Sequence, residues 1–359
     1  MEHEIVAPGS LLDARGNLRE PGFARSLLLA YDRSAVKAPA WRVKEWDYYC
    51  VLCGDYALAC TIADNGYMGF VSASVLDFAA GTNATDEIMT AFPMGRTGLP
   101  SSSASGVTAF QANGASLRFE SSGGTRKLAI SWPSFCAEKP PRPAGPPSRP
   151  GASPSPAPVG LEAELVLTEQ PGGQSMVIAT PFAKARHFYY NQKINCQGAE
   201  GSFRFGGREY PVKRGSAFGC LDWGRGVWTW SNTWYWGSAS GLAGGKSFGF
   251  NIGHGFGDTR AASENMVFYE GKAHKVGRLG VELDHSDFFK PWRAVSEDGR
   301  FDMVLAPDFD RASATDLGLI ASIQHQVFGL WSGRAVLEDG REIRVEGLRG
   351  WCEKVVNRW

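Results

Sequence analysis

The sequence predicts an all-β protein, on three observations. Glycine (44 of 359 residues), tryptophan (12) and phenylalanine (21) are high together. Helix interiors disfavour glycine and aromatic residues, whereas strands favour aromatics and tight hairpins take glycine where φ is positive. Apolar residues alternate with period two along several segments, and turn dipeptides separate strand-like runs.

Trp46, Tyr48, Cys50 and Leu52 alternate with more polar or smaller neighbours, and the pattern resumes as Tyr56, Leu58, Cys60 and Ile62. Keeping both sets on one face pairs 52 with 56 and 48 with 60 around a Cys53-Gly54-Asp55 loop, with Cys50 opposite Leu58. Gly66 to Leu76, Val107 to Phe119 and Lys127 to Trp132 read as further strands. Residues 139–159 hold nine of the 20 prolines and read as an extended or disordered surface loop. Leu161 to Leu167 then resumes an alternating strand that can pair with Ala129 to Trp132, so the proline-rich stretch reads as an insertion in a long hairpin.

The second half opens near Phe188-Tyr189-Tyr190-Asn191 and carries the turn signals Gly206-Gly207, Asp298-Gly299 and Asp339-Gly340. A helix of any length is expected only over Ala312 to Ile323. Between Trp223 and Trp236, a strand would place Trp228, Trp230, Trp234 and Trp236 on one face with Asn232 among them. From Ser247 to Gly257, Phe248, Phe250, Ile252, His254 and Phe256 fall on one face, and Gly249, Asn251, Gly253, Gly255 and Gly257 on the other. The nearly bare row either accommodates neighbouring rings or leaves volume for a ligand, and both readings suit a small barrel.

Thirty-seven basic side chains balance 37 acidic ones, which argues against a general nucleic-acid or anionic-membrane binder. An acidic N-terminus without an apolar run predicts no signal peptide, and no stretch approaches the ~20 apolar residues of a membrane helix. A cytoplasmic protein without an integral membrane segment is therefore expected. Seven scattered cysteines predict no disulfide framework in that compartment. Cys50-Val-Leu-Cys53 has redox or zinc spacing, but no second pair follows and alternation puts the thiols on opposite faces. Gly253-His254-Gly255-Phe256-Gly257 lacks the βαβ setting of a nucleotide loop, and Gly237-Ser238-Ala239-Ser240-Gly241 lacks the serine of a nucleophile elbow. Neither a metal nor another cofactor is expected.

Charged groups do occur among the aromatics. Asp222 and Arg225 flank Trp223 and can pair if buried. As chemistry, a carboxylic acid against an apolar wall can protonate an alkene or alcohol, with indole faces stabilising the cation. Asp222, Asp258 and Glu264 are the candidate acids, and His254 is a possible proton carrier.

Four runs together resemble the domain-of-unknown-function family 2804: Lys44 to Tyr49, Phe188 to Asn191, Leu221 to Trp228 and Gly249 to Asp258. That family is remotely similar to calycin-like proteins with two lipocalin-like barrels, among them carotenoid hydratases, tocopherol cyclases and Diels–Alder cyclases. The resemblance implies two consecutive lipocalin-like antiparallel β-barrels with few helices, over about residues 1–185 and 186–359, and a hydrophobic ligand. It carries over no catalytic residue.

The function expected is binding of a hydrophobic small molecule, lipid or isoprenoid-like, in an aromatic-lined barrel cavity. Its expected lining draws Trp46, Tyr48 and Tyr190 from the first two runs, and Trp223, Arg225, Trp228 and Trp230 from the tryptophan-rich one. Asn251 and His254 complete it. The alternative is a cofactor-independent hydratase, cyclase or isomerase that uses one of the three carboxylates as its acid. A third reading, a scaffold without a ligand, rests on the proline- and arginine-rich loop, whose composition allows it to be a ligand for a partner domain; the sequence names no protein partner.

Overall fold

The computed structural model describes residues 2–137, 142–143, 159–316 and 321–358, and among them the chain is all-β. Helical structure there is limited to two single 3-10 turns, Arg33–Ala35 and Ala40–Arg42. The strands in order are β1 (Gly9–Ser10), β2 (Gly22–Ala24), β3 (Leu29–Ala30), β4 (Val43–Leu52), β5 (Tyr56–Asp64), β6 (Met68–Asp77), β7 (Thr82–Ala91), β8 (Gly106–Ala112) and β9 (Ala115–Ser122). Then come β10 (Thr125–Trp132), β11 (Arg142–Pro143), β12 (Leu161–Thr168), β13 (Met176–Pro181), β14 (Phe188–Phe205), β15 (Arg208–Val212), β16 (Phe218–Val227) and β17 (Ser231–Ala243). The last are β18 (Lys246–His254), β19 (Met266–Tyr269), β20 (Lys272–Lys275), β21 (Leu279–Glu282), β22 (Trp292–Ser296), β23 (Phe301–Asp316), β24 (Ala321–Val336) and β25 (Glu342–Arg358).

They form two compact units built on curled antiparallel sheets, the tandem architecture that the family resemblance implies. One unit gathers Pro39–Pro171 and Gln197–Trp223; the other gathers the chain up to Ala38, Gly172–Cys196 and the chain from Gly224 on.

In the first unit β7, β6, β5 and β4 form a meander, and β12, β10, β9 and β8 a second run. The first hairpin is present, but its register is one residue from that expected: Leu52 faces Ala57 and Cys50 faces Ala59. Cys53 N–H donates to Tyr56 O at 2.9 Å, which leaves a two-residue Gly54-Asp55 turn with Gly54 at φ +73°. Both faces of β4 and β5 are buried, so the single-apolar-face argument does not constrain this register. The expected strand from Val107 to Phe119 is two strands around Asn113-Gly114, both at positive φ as a tight hairpin turn requires.

β10 and β12 pair as expected, Ala129 facing Glu164 and Trp132 facing Leu161. Of the proline-rich stretch between them, Arg142 and Pro143 bridge to Asn83 and Thr82; the remainder, up to Pro158, lies outside the described residues.

The second unit holds a nine-stranded sheet ordered β20-β19-β18-β17-β25-β24-β23-β22-β21. Large side chains cluster in its core: the Phe250 ring lies 5.0 Å from Phe301 and 5.3 Å from Trp331, with Trp292, Met303 and Val327 fully buried in the same cluster. The helix expected over Ala312 to Ile323 is instead part of the β23–β24 ladder, where Ala312 faces His325 and Ala314 faces Ile323. Residues 317–320 lie outside the described set. Helix propensity is a weak prior, and here cross-strand pairing overrides it.

The tryptophan run is also divided. β16 ends at Val227 and β17 begins at Ser231, with Trp228 to Trp230 in the connection. Asn232 closes that turn, its Nδ2 donating to Thr229 O and its Oδ1 accepting from Thr229 Oγ1, both at 2.8 Å. The four indoles therefore do not share one strand face. β18 likewise ends at His254, and Gly255 and Gly257 leave it at positive φ.

Candidate functional site

Alternation along the second unit's sheet sends Phe250, Ile252, Val327 and Cys352 into the core. The opposite face carries a row that runs across five strands at one level, Gly253 on β18, Trp236 on β17, Glu353 on β25, Gln326 on β24 and Arg311 on β23.

Glu353 is 5% exposed. Its Oε1 accepts from Trp234 Nε1 at 3.1 Å, and its Oε2 from Gln324 Nε2 at 3.0 Å and Gln326 Nε2 at 3.3 Å. Burial pushes its pKa above the ordinary carboxylate range, against the opposing pull of the Trp234 bond and the Lys193 charge. Lys193, on β14, is buried with Nζ 3.8 Å from the centroid of the Trp236 ring, a cation–π contact.

Trp236 Nε1 donates to Asn251 Oδ1 at 2.7 Å, and Asn251 Nδ2 donates to Glu264 O at 2.8 Å and Oε2 at 3.4 Å. Gly253 is bare for a reason: a Cβ there would fall on the Glu264 carboxyl. The glycine row of β18 thus accommodates close neighbours, Glu264 at Gly253 and Cys196 Sγ at Gly249.

Trp234 joins this polar row to an aromatic wall. Its ring lies 5.2 Å from Phe256 and 6.0 Å from Trp228, and Phe256 also meets Trp228, Tyr189 and Phe182 edge-on. Trp234, Gln324, Glu264 and Arg311 are half-buried and form the open edge of the row. Together these groups supply an apolar wall, indole N–H donors, a buried acid and a second carboxyl within one unit.

Of the carboxylates singled out in the sequence, Glu264 belongs to this arrangement. Asp258 lies outside it, its carboxylate 2.5 Å from the Arg260 guanidinium, which holds it below its ordinary range and makes it a poor proton donor. Asp222 is buried on β16 with Trp223, in the unit that also holds half-buried Trp46 and buried Tyr48. Among the other expected lining residues, Asn251 and Trp228 fall in the row and the wall. Tyr190 is buried with its hydroxyl donating to Leu29 O at 2.7 Å, and Arg225 is buried with Nη1 donating to Gly224 O at 2.8 Å. Trp230 is exposed, as is His254, whose ring lies 5.9 Å from Tyr235.

Sequence reasoning missed Glu353, Lys193, Gln324 and Gln326. The available signal was a single acid in the otherwise apolar start of Trp351-Cys352-Glu353-Lys354-Val355.

No three His, Cys, Asp or Glu side chains among the described residues are placed to hold a metal ion, and no helix there is long and apolar enough to cross a membrane. None of the seven cysteines is joined in a disulfide, and burial pushes the pKa of the Cys53 thiol up to about 12.

Residues 2–359 match the family described as Domain of unknown function (DUF2804). The chain belongs to this family. Solved structures similar to this DUF2804 chain include CghA with Sch210972 (11% identity, 97% of each chain covered, TM-score 0.51). CghA in a second structure gives 10% identity over 98% of this chain and 97% of that one, TM-score 0.52. Kievitone hydratase from Nectria haematococca gives 10% identity over 98% of both chains, TM-score 0.50. At these identities the likeness is one of fold. No curated protein matches the chain.

Proposed function

We propose that this protein binds an apolar small molecule, lipid or isoprenoid-like, in the cytoplasm, along the Trp228–Trp234–Phe256 wall and with a hydroxyl or carbonyl end at the polar row. The observation that carries this reading is the double role of Trp234, whose ring closes the aromatic wall while its Nε1 donates to buried Glu353. Apolar walls with a few convergent polar groups are the usual make-up of small-molecule sites. Titrating a lipid and isoprenoid panel against tryptophan fluorescence tests it, with native mass spectrometry of the protein from its own source. Saturable quenching that Trp234→Leu weakens at least about tenfold is expected; quenching unchanged in that variant, or no binding across the panel, overturns the assignment.

A second reading is favoured by the raised pKa of Glu353. A carboxylic acid whose pKa burial raises is a better proton donor to a bound alkene than an exposed one, and the resulting cation would face indole rings. Water then adds and returns its proton to the carboxylate, or the Glu353 carboxylate takes up a neighbouring proton from the cation, which completes an isomerisation and restores the acid. One solved structure of this fold carries the name hydratase. With the ligand in hand, Glu353→Gln is expected to keep binding and lose at least about a hundredfold in turnover. Turnover equal to that of the parent would remove the catalytic reading and leave binding.

A further inference from the structure

Trp41, Met89, Phe92 and Met94, in the first unit, are 46%, 57%, 56% and 37% exposed. Two of them, Phe92 and Met94, also hold φ of +49° and +51°, a region bulky side chains rarely adopt.

The backbone around them is tightly held. Phe92 N–H donates to Tyr67 O at 2.9 Å and Met94 N–H to Gly66 O at 3.0 Å. Fully buried Asp64 accepts from Gly66 N at 3.0 Å, Gly95 N at 2.7 Å and Thr97 Oγ1 at 3.0 Å. A Cβ on Gly66 would fall on the Trp41 carbonyl, so the Ala40–Arg42 turn and the loop after β7 meet at one glycine. The fold therefore spends backbone strain and a buried carboxylate to present three large apolar side chains to solvent at one tip.

Charge narrows the occupant. Arg96 is the one charged residue from Ile88 to Pro100, it is exposed, and no acidic residue occurs in 39–44. Size narrows it further: the three half-exposed side chains of the tip offer roughly 300 Å², less than half of what one partner contributes to a stable protein interface. A bilayer interface, by contrast, takes a few aromatic and aliphatic anchors beside a basic group. The balanced net charge argues against polybasic membrane binding and is silent on a local apolar tip.

We propose that the tip formed by Trp41, Phe92 and Met94 inserts among the headgroups of an anionic phospholipid bilayer, with Arg96 against lipid phosphate. This reading uses none of the residues of the ligand site and stands independently of it.

The test is co-sedimentation with phosphatidylcholine vesicles with and without phosphatidylglycerol. Binding to the mixed vesicles is expected, weakened by salt. Phe92→Asn with Met94→Asn keeps residues that tolerate positive φ, and should lower the partition coefficient at least about tenfold. Arg96→Glu should remove the preference for anionic lipid. Circular dichroism and the thermal midpoint report that each variant is folded. Folded protein that stays in the supernatant with both vesicles, or variants that partition like the parent, would overturn the proposal. So would a solution dimer that the same substitutions dissociate, since a second copy would then cover the tip.

Discussion

At Glu353 and Lys44, burial moves two ionisable groups in ways that stability can report. Glu353 binds its proton more tightly folded than unfolded, so its contribution to stability is fully present below the ordinary carboxylate range and falls as pH rises through its folded pKa. Replacing it by Gln should therefore raise the denaturant midpoint relative to the parent progressively from pH 4 to pH 8; a constant offset would count against a raised pKa. Lys44 is the converse case. Burial, with help from Arg42, pulls it down from 10.5 to about 7, while Nζ donates to Asn65 O at 3.1 Å and lies 4.5 Å from the Tyr67 ring centre. The folded state holds fewer protons than the unfolded one between those values, so stability gains with rising pH over that window. Lys44→Met should flatten the gain, measured as urea midpoints at pH 7 and pH 10. The β18 glycines separate in the same way. Alanine at Gly249 meets Cys196 Sγ at 2.5 Å and the Ala239 carbonyl at 2.6 Å, backbone that cannot step aside, and should cost about 1–3 kcal/mol. Alanine at Gly253 meets the movable end of Glu264, so ligand affinity should fall with a smaller loss of stability.

Elements were legible wherever a local signal and the global sheet agreed. Gly206-Gly207 closes the β14–β15 hairpin with Phe205 facing Arg208, and Asp339-Gly340 closes β24–β25. Asn113-Gly114 carries an equally strong turn signal and lies inside a run that reads as one strand because Val107, Phe110 and Phe119 are apolar on either side. Gly114 has open space around a Cβ and φ of +76°, so Gly114→Ala should cost about 1 kcal/mol from conformation alone. Gly66, at φ +80° against the Trp41 carbonyl, should cost more than twice that. Equal thermal shifts in the two variants would contradict this ranking. What the pattern did not carry was register in strands buried on both faces, as in β4 and β5, and a site whose members come from β14, β17, β18, β24 and β25. Glu264 and Asn251 were visible as polar groups near a glycine row; Glu353 and Lys193 acquire their setting from partners on other strands, Trp234, Gln324 and Gln326 for Glu353 and Trp236 for Lys193.

At the scale of the molecule, the second unit is assembled from separated parts of the chain. Its nine-stranded sheet comes from residues after 230, yet the N-terminal segment belongs to the same unit. Glu2 carboxylate lies 2.7 Å from Lys275 Nζ and accepts from Ser263 N at 2.9 Å and Oγ at 2.8 Å. Arg25 pairs with both Glu4 at 2.9 Å and Glu338 at 2.8 Å. Phe23 and residues Met176 to Ala179 are buried through the β2–β13–β14 pairing. A division after residue 185 therefore separates the sheet from Glu2, β2 and β13, and leaves Lys275, whose pKa burial lowers, without its carboxylate. Removing one partner of a buried ion pair costs about 3–5 kcal/mol, a large fraction of the stability of an ordinary domain. Residues 186–359 expressed alone should accordingly lack a cooperative thermal transition, and co-expression with 1–185 should restore it. A full-length chain cleaved at the exposed Lys184-Ala185-Arg186 segment should stay assembled on a sizing column. Cooperative unfolding of 186–359 by itself, at the midpoint of the intact protein, would instead make residue 185 a true domain boundary.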